Sequence, residues 1–244
     1  MHVKATVCYD GTGYAGYQRQ LNVPTIQADI EHTLTKLTGE AIRITAAGRT
    51  DAGVHAKGQV IAFSTGWRHT LTQLHNGLNA LLPDQIAVLD MEQVPETFHP
   101  RFDAIRRHYR YTLYRAEVRN PLLSRYSVHC RRELDLAAMQ QAAEFLVGRH
   151  DFSAFGSPPQ GTNAIREVFS AHWRQENGIL TFDIEANAFL QRMVRMVVGT
   201  NLRVGYGKIS PANFHQTLQL ADRSGAGPAA APQGLCLMSV KYTA

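Results

Sequence analysis

The sequence predicts an α+β fold built from two successive ferredoxin-like halves, each with the element order β-α-β-β-α-β. Two observations lead to this prediction. Strand-like alternation and helix-like periodicity occur in the same order twice, and 244 residues are enough for two compact cores. We expect the antiparallel or mixed sheets of the halves to join into one extended sheet, with the helices packed on one face. The predicted domains are residues 1–105 and 106–244.

The elements of the first half are predicted from apolar residues in alternating or helical spacing between turn signals. Val3 to Tyr9 alternates as a half-buried strand, and Thr25 is the predicted N-cap of the helix that follows. A second helix follows Thr70 and ends before Pro83. The remaining predicted strands of this half cover about residues 42–47, 59–64 and 86–90.

The same reasoning predicts four strands and three helices in the second half. Its strongest signal is Glu176-Asn177-Gly178, a hairpin turn between two alternating segments. Asp135 caps a helix that runs to Gly148, and Ser210-Pro211 opens another helix. The other predictions are strands at about 107–116, 165–173, 179–186 and 235–242, and a helix at about 189–204.

Composition indicates a cytoplasmic protein without a metal or membrane requirement. Hydrophobic residues make up 44% of the chain, and no apolar run approaches the roughly 20 residues of a membrane span. The three cysteines are far apart and form no CxxC pair, which argues against disulfides and a structural zinc site. The histidines show no HExxH spacing, so we expect no metal site and no cofactor.

Positive charge is concentrated in the middle of the chain. Residues 101–132 contain nine arginines and two acidic residues, whereas residues 1–100 contain seven basic and nine acidic residues. Tyrosines interleave with these arginines, and the combination favours nucleic acid, RNA more than DNA, as the partner. The alternative is a solvated strand face. The nine arginines are Arg101, Arg106, Arg107, Arg110, Arg115, Arg119, Arg125, Arg131 and Arg132.

A loop between two predicted strands carries the strongest candidate for chemistry, Asp51. It lies between Gly48 and Gly53, and Arg49 precedes it by two residues. Glycines permit close approach of a ligand, and a neighbouring cation is expected to hold the carboxylate ionised. Asp51 is therefore a candidate covalent nucleophile. The alternative is a turn aspartate that bonds its own backbone.

Several segments together resemble the tRNA pseudouridine synthases of the TruA type. They occur in the family's order along nearly the whole chain, and the segment GRTDAGVH is the most specific. The matching segments are Tyr9-Asp10-Gly11, Gln18-Arg19-Gln20, Ala47 to His55, Phe98 to Ala104, Arg107 to Tyr111, His150 to Phe155, Ile165 to Val168, Ala186 to Leu190, Met193-Val194-Arg195 and Ala231 to Leu235.

The resemblance implies an isomerase that converts uridine to pseudouridine at positions 38, 39 and 40 of the tRNA anticodon stem-loop. It also implies a symmetric homodimer that grips tRNA, and neither a cofactor nor a DNA partner. Carried over by position, Asp51 is the nucleophile and Tyr109 stacks on the target uracil. Arg49 helps to flip the nucleotide, Arg195 is the salt-bridge partner of the aspartate, and Leu235 forms part of the apolar wall.

The chain departs from the family pattern at two places outside the Asp51 loop. Tyr17 stands where the family usually has tryptophan, and Asn163-Ala164 replaces a more basic or hydroxylated pair. Both departures bear on the predicted tRNA contacts.

Two other functions and three chemical routes stay open at this point. A non-catalytic RNA-binding module would use Asp51 only as a turn residue. A carboxylate-nucleophile phosphoesterase would need Mg²⁺ ligands, and the sequence shows no clustered acidic set for them. Within the synthase reading, Asp51 attacks C6 of uracil, attacks C1′ of the ribose, or drives a glycal route.

Overall fold

The structure, a computed structural model, describes residues 1–158 and 161–243. It divides into two compact units. The first comprises residues 1–105 together with the chain from residue 237 onward, and the second comprises Arg106–Cys236. The elements are β1 (His2–Tyr9), α1 (Ile26–Thr38), β2 (Thr45–Ala46), β3 (His55–Ser64), α2 (Leu71–Leu81), β4 (Ile86–Val94), β5 (Ala104–Arg115), β6 (Val128–Cys130), α3 (Leu136–Glu144), β7 (Gly148–Asp151), β8 (Ile165–Glu176), β9 (Ile179–Ala186), α4 (Met193–Gly205), α5 (Pro211–Gln219) and β10 (Leu235–Tyr242).

The first unit has the strand order of a ferredoxin-like fold. β1 pairs antiparallel with both β3 and β4, and the short β2 pairs antiparallel with β3. β10 also lies beside β3, where a Cβ on Gly58 would come within 2.6 Å of the carbonyl oxygen of Met238. Only glycine therefore fits at position 58. The alternation predicted for β1 is confirmed, because every second residue from Val3 to Tyr9 is buried.

The helix starts of the first unit follow the predicted caps. The Thr25 hydroxyl accepts the Ala28 N–H at the start of α1, and Gly39 ends this helix in the left-handed conformation at φ 76°. Thr70 and Gln73 form a reciprocal capping box at the start of α2. These local signals placed both helices correctly.

The second unit contains an antiparallel sheet in the order β5-β9-β8-β7, with β6 paired parallel to β5. The predicted hairpin is confirmed: Asn177 and Gly178 both have positive φ between β8 and β9. Asp135 and Ser210 cap α3 and α5 as predicted. The α+β class is thus confirmed.

Three predicted boundaries were wrong, and two short strands were missed. The strand predicted at 42–47 is reduced to β2. The Ile42 N–H donates to the Glu40 carbonyl and the Ile44 N–H donates to the Glu31 carboxylate, so neither donates to a neighbouring strand. The helix predicted to reach Gly148 ends at Glu144, because Gly148 at φ 109° begins β7.

The helix predicted at about 189–204 begins only at Met193. Arg192 precedes it with φ 65°, a left-handed conformation that reverses the chain and cannot continue into a helix on its N-terminal side. Sequence reasoning also missed β6 and β7, which have only three and four residues. Strands of that length are too short to show alternation.

A buried carboxylate joins three segments of the first unit. The Glu31 side chain is 4% exposed and accepts from Arg43 at 2.7 Å, Arg19 at 3.2 Å, Gln27 at 2.9 Å and the Ile44 N–H at 3.2 Å. Burial raises the pKa of Glu31, but the four donors together lower it by more than burial raises it. The net pKa therefore lies below the ordinary value. Glu31 therefore links α1 to the chain that leads into the Asp51 loop.

We expect Glu31→Gln to lower the free energy of unfolding by about 1–3 kcal/mol at pH 7. Because the folded-state pKa is depressed, the carboxylate stabilises fully above its unfolded pKa of about 4.3, and this stabilisation is lost as the pH falls through the folded value. The difference between the two proteins should narrow below about pH 4 in urea unfolding curves. Glu96→Gln, at an exposed position, is the matched control. A difference that stays constant with pH would contradict the account.

Candidate functional site

Asp51 lies in the loop between β2 and β3 and is partly exposed. The main chain turns tightly here, because the Val54 N–H donates to the Asp51 carbonyl oxygen at 3.1 Å and Gly53 has φ 75°. A non-glycine residue would be strained at position 53. The aspartate is thus carried by a defined turn on a sheet rather than by an irregular loop.

The chain before Asp51 is fixed by buried polar groups. The Tyr17 N–H donates to the Thr50 carbonyl at 3.0 Å, and the Tyr9 hydroxyl lies 2.8 Å from Thr50 Oγ1. The buried Gln59 amide donates to the Gly48 carbonyl at 2.9 Å. These bonds hold the main chain on the N-terminal side of the aspartate.

The chain after Asp51 is fixed by the turn that follows β1. The Gly11 N–H donates to Nδ1 of the buried His55 at 3.1 Å, and Asp10 Oδ1 lies 3.0 Å from the same nitrogen. A Cβ on Gly11 would lie 2.1 Å from the Val54 carbonyl oxygen, so the two segments touch through their backbones. Asp10 also accepts the Thr12 N–H at 2.9 Å. This second carboxylate is therefore occupied in holding the loop.

Arg49 lies two residues before Asp51 but does not pair with it. Its side chain is exposed and forms no ion pair or hydrogen bond with any residue that the structure describes. Residues i and i+2 point to the same face of a strand, but in a turn they do not share a face in this way. The role predicted for Arg49 stays a prediction.

The two departures from the family pattern have different surroundings. Tyr17 is 3% exposed, its ring lies 6.2 Å from that of Tyr9, and its hydroxyl has no partner among the described residues. Burial raises the pKa of Tyr17 well above the ordinary value. Ala164 is buried, whereas Asn163 is exposed and its side chain accepts the Ile165 N–H. Tyr17 is therefore a core residue rather than a surface for a large ligand.

Tyr109 lies on β5 in the second unit, opposite Ile184 of β9. It is 9% exposed, and its ring packs edge-on against Phe189 with the ring centres 5.0 Å apart. Edge-to-face packing of this kind orients both rings. Sequence reasoning placed Phe189 in a matched segment but gave it no role.

Arg195 lies on α4 and binds the loop that precedes β10. Its Nε donates to the Ala230 carbonyl at 2.7 Å, and the Ala230 N–H donates back to the Arg195 carbonyl at 2.9 Å. Tyr111 donates from its hydroxyl to the Ala231 carbonyl, and burial raises its pKa, an effect that the Arg195 charge reduces. Leu235 follows this loop and is buried. The guanidinium of Arg195 is thus held by the backbone of a neighbouring loop.

At least four arginines of the central basic block are engaged inside the second unit. Arg110 forms a bidentate pair with Asp183, and burial raises the pKa of Asp183 while His108 and Arg110 lower it to a net value below the ordinary one. Arg107 is buried and donates to the Asn187 carbonyl. The two remaining pairs are Arg106 with Glu185 at 3.5 Å and Arg115 with Glu133 at 3.0 Å.

In residues 1–158 and 161–243, no three side chains of the His, Cys, Asp and Glu types are grouped so that they could hold a metal ion. None of the helices in this part of the chain is long and apolar enough to cross a membrane.

The chain is similar to known proteins over nearly its full length. A family model described as tRNA pseudouridine synthase matches residues 5–103 and 142–243. The tRNA pseudouridine synthase A of Geotalea uraniireducens is 44% identical over 241 residues, covering 98% of this chain and 99% of that protein. The proteins of the same name from Geobacter sulfurreducens and Neisseria meningitidis serogroup C are 44% and 42% identical, and they cover 98% and 97% of this chain and 99% and 90% of their own lengths.

The resemblance seen in the sequence motifs is confirmed by these matches. The chain belongs to the tRNA pseudouridine synthase family and is an isomerase of tRNA modification.

Proposed function

We propose that this enzyme converts uridine to pseudouridine at positions 38, 39 and 40 of the tRNA anticodon stem-loop, with Asp51 as the nucleophile. The observation that carries the proposal is the loop geometry. Asp51 is partly exposed, while the main chain on either side of it is held by buried hydrogen bonds. A reactive group on a rigid support keeps its geometry through the reaction.

The reaction breaks the N1–C1′ bond of the uridine, rotates the uracil and forms a C5–C1′ bond, while C5 loses a proton and N1 gains one. Asp51 forms a bond to C6 or C1′, or it abstracts a ribose proton in the glycal route. All three routes require an ionised carboxylate. A carboxylate that must stay charged away from water needs a cation nearby, and we assign this role to Arg195.

The target nucleotide must leave its stack, which costs a few kcal/mol. Stacking on an aromatic ring returns about 1–3 kcal/mol, and we assign this to Tyr109. Its packing against Phe189 supports the assignment, because a ring already held in place loses little freedom on binding. We assign Arg49 to the space that the flipped nucleotide leaves, a role that its exposed side chain permits.

Leu235 completes the proposed site as part of its apolar wall, which its burial supports. We further propose that the enzyme acts in the cytoplasm as a symmetric homodimer and needs neither a cofactor nor a metal. The resemblance supports the homodimer, and chelator-resistant activity would support the absence of a metal.

Asp51→Asn should lower pseudouridine formation in a tRNA transcript by about 10⁴-fold or more, with tRNA affinity changed less than about threefold. The amide is similar in shape but is not a nucleophile. Asp84→Asn, at an exposed position without a partner among the described residues, is the matched control. Unchanged turnover of Asp51→Asn would instead fit a non-catalytic RNA-binding module.

Tyr9→Phe should lower kcat by about tenfold with KM for tRNA nearly unchanged, because it removes the bond to Thr50 beside the nucleophile. The matched control is Tyr242→Phe, which loses a comparable hydrogen bond to the Pro100 carbonyl away from the loop. Both variants should lose about 1 kcal/mol of stability. An equal loss of kcat in both would show that the bond acts only through stability.

A further inference from the structure

Within residues 106–132, two groups of arginines with partly or fully exposed side chains can be distinguished. In the first group the guanidinium already binds an acidic side chain of the same unit. This group comprises Arg106, Arg110 and Arg115. In the second group the side chain is exposed and forms no ion pair with any acidic residue that the structure describes. This group comprises Arg119, Arg131 and Arg132.

The second group lies on one ordered excursion of the chain, residues 116–132. β6 closes it by pairing in parallel with the end of β5, and the ring of His129 stacks on that of Tyr114 at 5.0 Å. The Tyr114 hydroxyl accepts the Asn120 N–H at 3.1 Å, and the Asn120 carbonyl accepts the Leu123 N–H at 3.1 Å. The loop is therefore held by its own hydrogen bonds and by a buried tyrosine.

This excursion has a large positive excess. It contains four arginines and a single acidic residue, Glu117. Tyr126 is 55% exposed, and the Arg125 guanidinium lies 6.0 Å from its ring centre. An exposed aromatic face beside guanidinium groups offers both stacking and phosphate contact.

We propose that residues 116–132 form an arginine surface that binds the phosphodiester backbone of the tRNA substrate. Phosphate binding by Arg106 or Arg115 would require separation from an acidic partner, whereas Arg119, Arg131 and Arg132 can bind phosphate without that loss. The choice of tRNA as the ligand of this surface rests on the proposed function. The charge pattern of the sequence did not predict which of the nine arginines of the central block form this surface, because it does not distinguish ion-paired arginines from the others.

A protein partner fits this surface less well. Val118, Leu122 and Leu123 are 76%, 87% and 37% exposed, but exposed aliphatic side chains are ordinary on a protein surface, and these three share the excursion with four arginines. A second copy docked through the same patch around a two-fold axis would bring arginines against arginines. The polyanionic backbone of RNA meets no such repulsion.

The test compares two double variants that remove the same charge. Arg119→Gln with Arg131→Gln removes two unpaired arginines, and Arg106→Gln with Arg115→Gln removes two ion-paired ones, whose side chains are each 44% exposed. Binding of an unmodified tRNA transcript is measured by fluorescence anisotropy between 50 and 300 mM salt (roughly the range where counterion release is resolved). All variants carry Asp51→Asn so that the substrate is not consumed.

The slope of the logarithm of the association constant against log salt concentration is negative. Its magnitude should decrease by about 1.4–1.8 in the first pair, since each phosphate contact contributes roughly 0.7–0.9. The second pair should change the slope by less than about 0.5. Equal changes in the two pairs, or an unchanged slope in the first, would overturn the arginine surface. Should the first pair fail to fold, Arg131→Gln alone should still lower the slope by about 0.7–0.9.

A protein-binding surface gives a different result. If Val118→Ser with Leu122→Ser changed the sedimentation of the protein while the arginine variants kept the wild-type slope, the surface would belong to a protein contact and the proposal would fail. Turnover of Asp51→Asn is a separate readout. Failure of the nucleophile assignment is thus distinguishable from failure of the arginine surface.

Discussion

Hydrogen bonds to the main chain on both sides of Asp51 are the constraint on which the proposed chemistry depends. The carbonyl groups of Gly48 and Thr50 are held on one side, and the backbones of Gly11 and Val54 are in contact on the other. These bonds use backbone atoms and buried side chains, so the position of the aspartate is set by the core of the first unit. The second carboxylate of this region, Asp10, serves that support.

The second unit shows how little a linear charge count says about a binding surface. Several arginines of the central block neutralise acidic residues on neighbouring strands, as Arg110 does with Asp183. Such pairs, partly buried and bidentate, stabilise the sheet but carry no net charge to a ligand. An exposed arginine without an acid partner contributes more fully to an external field, and in this block Arg119, Arg131 and Arg132 are of this kind and lie beyond the end of β5.

Local chemistry made much of the fold predictable. Helix caps at Thr25 and Thr70 and the Asn177-Gly178 turn act within a few residues, so sequence spacing alone places them. The misses have long-range causes. The N–H of Ile44 bonds the Glu31 carboxylate rather than a strand, and Arg49 does not contact the neighbouring aspartate. Both outcomes depend on where distant side chains come to lie, which the sequence pattern does not contain.

The last strand has a consequence for the order in which the protein can form. β10 completes the sheet of the first unit beside β3, although the whole of the second unit lies between them along the chain. β3 is therefore synthesised long before this neighbour exists, and the part of its edge that β2 does not pair stays open while about 170 further residues are made. Unpaired strand edges invite pairing with other chains. Nascent copies on one messenger are thus exposed to each other until synthesis is nearly finished.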